Sequence, residues 1–220
     1  MNIKWLVLTG SLTLCASAAN AAIVYSTAVI APSPTPFSTS FSVELFNSSL
    51  GTLNSVTLTL ESNIVGRIEV FNNTNTAQGF THAFAAIPLT VTSSLPDATS
   101  VTALATAVLA SGTATPAHAI SSFSGIAASA SNLVSVLPAS FASYMGVGGG
   151  SALFTVASPG GSYGGTSVPG LFFGGSAVAD GKFTITYDYT ATSPVPVPAS
   201  ALLLGSGLLS LGAAWRRRRS

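Results

Sequence analysis

The stretch FTITYDYT, residues 183–190, alternates apolar and polar side chains with a period of two. Phe183, Ile185, Tyr187 and Tyr189 fall on one side; Thr184, Thr186 and Asp188 fall on the other, with Lys182. Only a β-strand sends successive side chains to opposite faces, so this pattern dictates a half-buried strand with one wet face. SVTLTL (residues 55–60) repeats it, with Val56, Leu58 and Leu60 opposite Ser55, Thr57 and Thr59. After a break at Gly66, RIEVF sets Ile68 and Val70 against Arg67, Glu69 and Phe71. Further strands are predicted at residues 23–30, 39–45, 80–91, 101–109 and 153–156. Short strands at such spacing, with turn residues between them, favour a sandwich or barrel. Asp180-Gly181 is a hairpin signal, because a type I′ turn needs positive φ at both central residues. It predicts FFGGSAVA, residues 172–179, as the partner of the last strand. Residues 98–142 leave two options open: their alanines permit helix, while Ser and Thr pull toward strand.

Charge narrows the class of partner. Charged residues make up 6% of the chain, against roughly 25% in an average globular protein. Five of the seven cations sit at the ends: Lys4, Arg216, Arg217, Arg218 and Arg219. Residues 22–195 hold Arg67 and Lys182 against Glu44, Glu61, Glu69, Asp97, Asp180 and Asp188, a balance of 2 − 6 = −4. A basic footprint for nucleic acid is therefore absent from the body. Hydrophobic residues at 48% argue against disorder. Cys15, the single cysteine, lies near the start, so no intramolecular disulfide is possible.

Both ends have the composition of address segments. MNIKWLVLTGSLTLCASAANA carries one lysine, an apolar run and then small residues ending Ala19-Asn20-Ala21. That is the layout of a secretory signal, with cleavage predicted between Ala21 and Ala22. At the other end, residues 199–215 are apolar or small with no charge around the helix, and Arg216, Arg217, Arg218 and Arg219 follow. As a helix this segment spans about 25 Å against a hydrocarbon core of roughly 30 Å, a short transmembrane span. The arginines stay cytoplasmic by the positive-inside rule and act as a membrane stop. Residues 22–198 are then expected outside the inner membrane.

The motif Val195-Pro196-Val197-Pro198, followed by the short Gly- and Leu-rich span and the arginine cluster, resembles the PEP-CTERM sorting signal in its Pro-x-Pro variant. The family's central glutamate is Val197 here. That resemblance implies an exosortase-type membrane transpeptidase as partner, which cleaves near the prolines and releases or re-anchors the exported body. FNSSLGTLNSVTLTL (residues 46–60), VGRIEVFN and the terminal FTITYDYT resemble the choice-of-anchor E domain, a β-rich module carried by exported bacterial proteins. This second resemblance implies surface display and no established activity.

Catalytic constellations are sparse. His82, in FTHAFAAIPL, is placed by alternation with Phe80 and Phe84; His118, in TPAHAI, lies in a loop after a proline. No His-x-His or His-x-x-x-His pair is present for zinc; GGSYG, residues 160–164, spells G-x-S-x-G, but within a glycine-rich stretch that reads as a flexible or turn-rich edge rather than as a nucleophile elbow. GVGGGS, residues 146–151, lacks the last glycine of G-x-G-x-x-G and the lysine of a P-loop, and predicts a turn. Asp97 and Asp180 are isolated, so no metal and no cofactor are expected. The sequons at Asn47 and Asn72 are ordinary in so Asn- and Ser-rich a chain. Tyr144, Tyr163, Tyr187 and Tyr189 are candidate platforms for sugar stacking, although Tyr187 and Tyr189 share the apolar face of their strand.

The sequence thus predicts an all-β, β-sandwich-like exported domain, residues 22–192. A signal peptide (residues 1–21) precedes it and a C-terminal sorting signal (residues 193–220) follows. The leading function is a non-enzymatic cell-surface or extracellular-matrix protein, transiently anchored in the inner membrane. The alternatives are an exopolysaccharide-binding module and, third, a secreted hydrolase.

Overall fold

A computed structural model describes residues 21–192 apart from Val168. Eleven strands lie among the described residues: β1 (Ala21–Pro34), β2 (Phe37–Glu44), β3 (Phe46–Asn47), β4 (Gly51–Asn72), β5 (Gln78–Ser93), β6 (Val101–Thr115), β7 (Ile120–Ser135), β8 (Met145–Gly146), β9 (Ser151–Ser158), β10 (Ser162–Ser167) and β11 (Leu171–Ala191). A 3-10 helix, Pro138–Tyr144, precedes β8. One sheet has the order β1-β11-β4-β7, entirely antiparallel. The other is built on β5, with β6 along one edge and β9 and β10 sharing the opposite edge; β2 pairs outside β9. A two-residue parallel ladder joins β3 to β8.

The alternation read from sequence sets which face is buried. In β4, Val56, Leu58, Leu60, Ile64, Ile68 and Val70 all point into the interior; in β11, Phe183, Ile185 and Tyr187 do. Val56, Leu58 and Leu60 of β4 and the three of β11 meet Leu89 and Val91 of β5 and Phe154 and Val156 of β9 in the largest core cluster. A middle cluster is thin, with Ala105 and Ala107 of β6 against Ala177, Ala179, Ile64 and Ile87. A third, around Ile68, Val70, Phe80 and Leu171, fills the far end. β4 and β11 pair from Gly51 opposite Ala191 to Asn72 opposite Leu171, about 70 Å at the usual rise per residue. The body is thus an elongated, sandwich-like all-β domain with its two ends well separated.

The open region of the sequence is resolved as strand: residues 98–142 contain β6, β7 and most of the 3-10 helix. Ala103, Ala105 and Ala107 alternate inward, where their small side chains fit the narrow middle of the core.

Three local expectations are corrected. Asp180-Gly181 makes no hairpin, because β11 runs through it, pairing Asp180 with Asn63 and Gly181 with Ser62 on one side and Gly181 with Ile30 on the other. Those ladders outweigh the turn preference of a dipeptide, and residues 172–179 belong to the same strand rather than to a partner. Asn63 Nδ2 donates to Asp180 Oδ1 at 2.9 Å. Gly181 is required for closeness instead: a Cβ there would strike the Glu61 carbonyl oxygen and crowd Leu89. Gly66 is likewise no break; it continues β4 pressed against Ser176 and Ala177. His82, finally, does not share a face with Phe80 and Phe84. It adopts a left-handed conformation (φ 55°) beside a register shift between β5 and β10, and the inward set changes from Phe80 to Ala83 and Ala85 across it.

Pro88 lies in the interior of β5, where a missing N–H normally costs a ladder bond. β10 pairs with residues 80–86 and β9 with residues 90–93, so Pro88 falls in the gap between them.

Candidate functional site

The two ends of the described chain leave the body together. Ala21 pairs with Thr190 and Ala22 with Tyr189 on neighbouring strands β1 and β11, about 5 Å apart as in any antiparallel pair. The exit is tied down: Thr192 N–H donates to the Leu50 carbonyl at 3.2 Å, and Asn54 Nδ2 donates to Thr190 Oγ1 at 3.1 Å. Beneath it Phe46 packs on Tyr187 and Tyr189, with ring centroids 5.8 and 5.0 Å apart. Tyr187 is buried and its hydroxyl donates to the Glu44 carbonyl at 3.0 Å; burial raises its pKa, the nearby Tyr144 phenol adding to the effect.

Beside this pole opens a cleft of about 330 Å³ lined by Val24, Glu44, Phe46, Leu50 and the glycines 148, 149 and 150. Those glycines have φ of 75°, 93° and 134°, a backbone that side chains rarely tolerate. Gly149 N–H donates to the Gly146 carbonyl and Leu45 N–H to the Gly150 carbonyl. GVGGGS is therefore the turn that follows β8, as its sequence predicts. Glu44 is the charged residue of the lining, which sets the cleft against anions.

Among the predicted site residues, Ala21 and Ala22 begin β1. Ala19, the motif Val195, Pro196, Val197 and Pro198, and the membrane stop Arg216, Arg217, Arg218 and Arg219 lie outside the described residues, as does the apolar segment 199–215. Among the described residues no helix is long and apolar enough to cross a membrane. No group of three His, Cys, Asp or Glu residues there is placed to hold a metal ion.

The tyrosines divide. Tyr144 is fully buried with its hydroxyl on the Pro96 carbonyl; burial, reinforced by Asp97, pushes its pKa up to about 12. Tyr163 packs against the middle and far core clusters, and burial raises its pKa as well. Tyr189 packs on the near cluster. Tyr144 and Tyr187 thus offer no face to a sugar. His118 is exposed at the opposite pole, its Nε2 2.9 Å from Asn75 Oδ1.

That opposite pole holds features the sequence did not single out. Phe71 and Phe172 stack outside the sheet, centroids 6.3 Å apart, and are 37% and 58% exposed. Asn72, half of a sequon, is fully buried. Its Nδ2 donates to the carbonyls of Thr76, Thr115 and Pro116, and its Oδ1 accepts from Thr74 N and Oγ1. The alternation of RIEVF sets Phe71 on the wet face, but nothing local marks Phe172 as its partner or the asparagine as buried.

Comparison with family models and with curated protein sequences gives no match. Among solved structures the chain is similar to "Structure of infectious bursal disease virus Gx strain", at 13% identity and a TM-score of 0.13. The alignment covers 88% of this chain and 49% of that one, so the chain spans about half of that structure's length. A likeness at that score carries no argument about fold or function.

Proposed function

We propose that this is an exported, non-enzymatic surface or extracellular-matrix protein of the PEP-CTERM type with a choice-of-anchor E-like body. Its signal peptide directs export, and residues 199–215 with the arginine stop hold it briefly in the inner membrane. An exosortase-type transpeptidase then cuts near Pro196 and Pro198. The observation that carries this reading is the pairing of Ala21 with Thr190: both address segments leave from one end of the body. Once the signal is cut, the C-terminal segment alone holds the body, so the exit at Thr190, with the N-terminal exit beside it, lies on the membrane side. The elongated body then projects away from the bilayer, with the Phe71–Phe172 pole outermost.

The test is the double substitution Pro196→Ala/Pro198→Ala in the native host, followed by fractionation. The expected result is full-length protein trapped in the inner membrane and at least a tenfold loss from the surface or medium. An unchanged distribution would overturn the sorting reading.

A further inference from the structure

We propose that strand β7 is a self-association edge, joining a second copy of this chain by antiparallel β-pairing along residues 127–135. Among the described residues β7 pairs with β4 alone. Val136 N–H donates to the Val56 carbonyl at 2.9 Å, which fixes the parity of the ladder. Residues 134, 132, 130 and 128 aim their backbone groups at β4; residues 135, 133, 131, 129 and 127 aim theirs away. The inner side chains Ile126, Ala128 and Ala130 pack on the core, and Asn132 Nδ2 donates to the Thr102 carbonyl of β6. The outward residues Ala127, Ser129, Ser131, Leu133 and Ser135 are exposed, Leu133 at 62%.

Exposed edges are normally guarded by charge, proline or bulges. β7 has a bulge at Gly125, where the register shifts between Gly66 and Arg67, and none of these devices from residue 127 to 135. No charged residue occurs anywhere in residues 98–179. The opposite edge of the same sheet is guarded. β1 carries Pro32 in the register shift between Ile30 and Ser33, ends at Pro34, and its Ser26 Oγ accepts from Glu44 N–H at 2.9 Å.

The occupant follows from charge and symmetry. A neutral edge of serines, alanine and leucine is complementary to itself, and pairing centred on Ser131 puts Ser129 opposite Leu133 of the second copy. Glu61, the carboxylate next to Ser131 on β4, would lie three strand spacings from its equivalent, about 14 Å, beyond the physiological screening length. It is also paired with Lys182 at 3.2 Å. Net-acidic copies can therefore meet here without placing like charges in contact.

The Ser131 pair would sit about 5.5 Å apart at Cα, within disulfide range. Antiparallel pairing sets the two chain-end poles at opposite ends of the dimer, so the pair forms between copies freed from a common bilayer; the test uses the full chain extracted into detergent, with Cys15→Ala and either Ser131→Cys or, on the guarded edge, Thr27→Cys, under mild oxidation. At least tenfold more disulfide-linked homodimer is expected from Ser131→Cys, and adding Ser129→Lys/Leu133→Lys should remove it. Equal cross-linking at the two positions, cross-linking to a different protein, or dimer surviving the lysines would overturn the proposal. The cysteine pair needs no disruptive substitution, so its outcome does not depend on the lysine variant folding, and neither readout depends on sorting.

Discussion

Asn72 shows how much one polar side chain can hold. Its amide donates to three carbonyls from two loops while its oxygen ties down Thr74, closing the far pole around a group that water does not reach. An isosteric Asn72→Asp keeps the shape and removes both donors, leaving a carboxylate against three carbonyl oxygens. Losing a buried, multiply bonded donor costs at least about 3 kcal/mol, since each orphaned group carries a desolvation penalty. Urea unfolding of Asn72→Asp should show that loss at neutral pH, and a change below about 0.5 kcal/mol would contradict the clamp. Tyr144 and Tyr187 follow the same logic, as buried rings whose hydroxyls donate to backbone carbonyls. In sequence Tyr187 was legible as inward, because its neighbours alternate. Asn72 was not, because its partners Thr115 and Pro116 are supplied by the fold.

At the scale of elements, long-range pairing governs the glycines. Gly181 and Gly174 both lie in β11 and neither has positive φ, yet their surroundings differ. A Cβ at Gly181 meets the Glu61 carbonyl and Leu89, whereas one at Gly174 meets nothing within 4 Å. Gly181→Ala should destabilise by about 1–3 kcal/mol through overpacking. Gly174→Ala should be neutral or stabilise by up to about 1 kcal/mol, through lower entropy of the unfolded chain. Thermal unfolding of the two variants checks the sign, and equal effects would refute this account of β11. The last strand and the one before β5 were readable because Leu, Ile and Phe alternate with Thr. Strands β6 and β7 were harder: alanines facing in, with leucine, valine or alanine among the serines and threonines facing out, give too little contrast for a period to declare itself. Asp180-Gly181 misled because a turn preference of two residues was weighed without the two neighbouring strands.

For the whole molecule, the arrangement of the poles links fold to function. Ala21 and Thr190 lie side by side at one, and Phe71, Phe172 and the Asn72 clamp lie at the other, separated by the paired length of β4 and β11. On the proposed reading, a body attached at one end and neutral along one edge is suited to a surface layer or matrix. The all-β class was legible from period two alone. That both exits share a pole was not, since it depends on Ala21 finding Thr190 across nearly the whole sequence. The central claim is that the address segments are removed. Intact-mass and terminal-peptide mass spectrometry of the protein isolated from its native host tests it directly. The account predicts an N terminus at Ala22 and no peptide carrying Trp215 or the arginines that follow; a mature protein retaining Trp215 and residues 216–219 would contradict it.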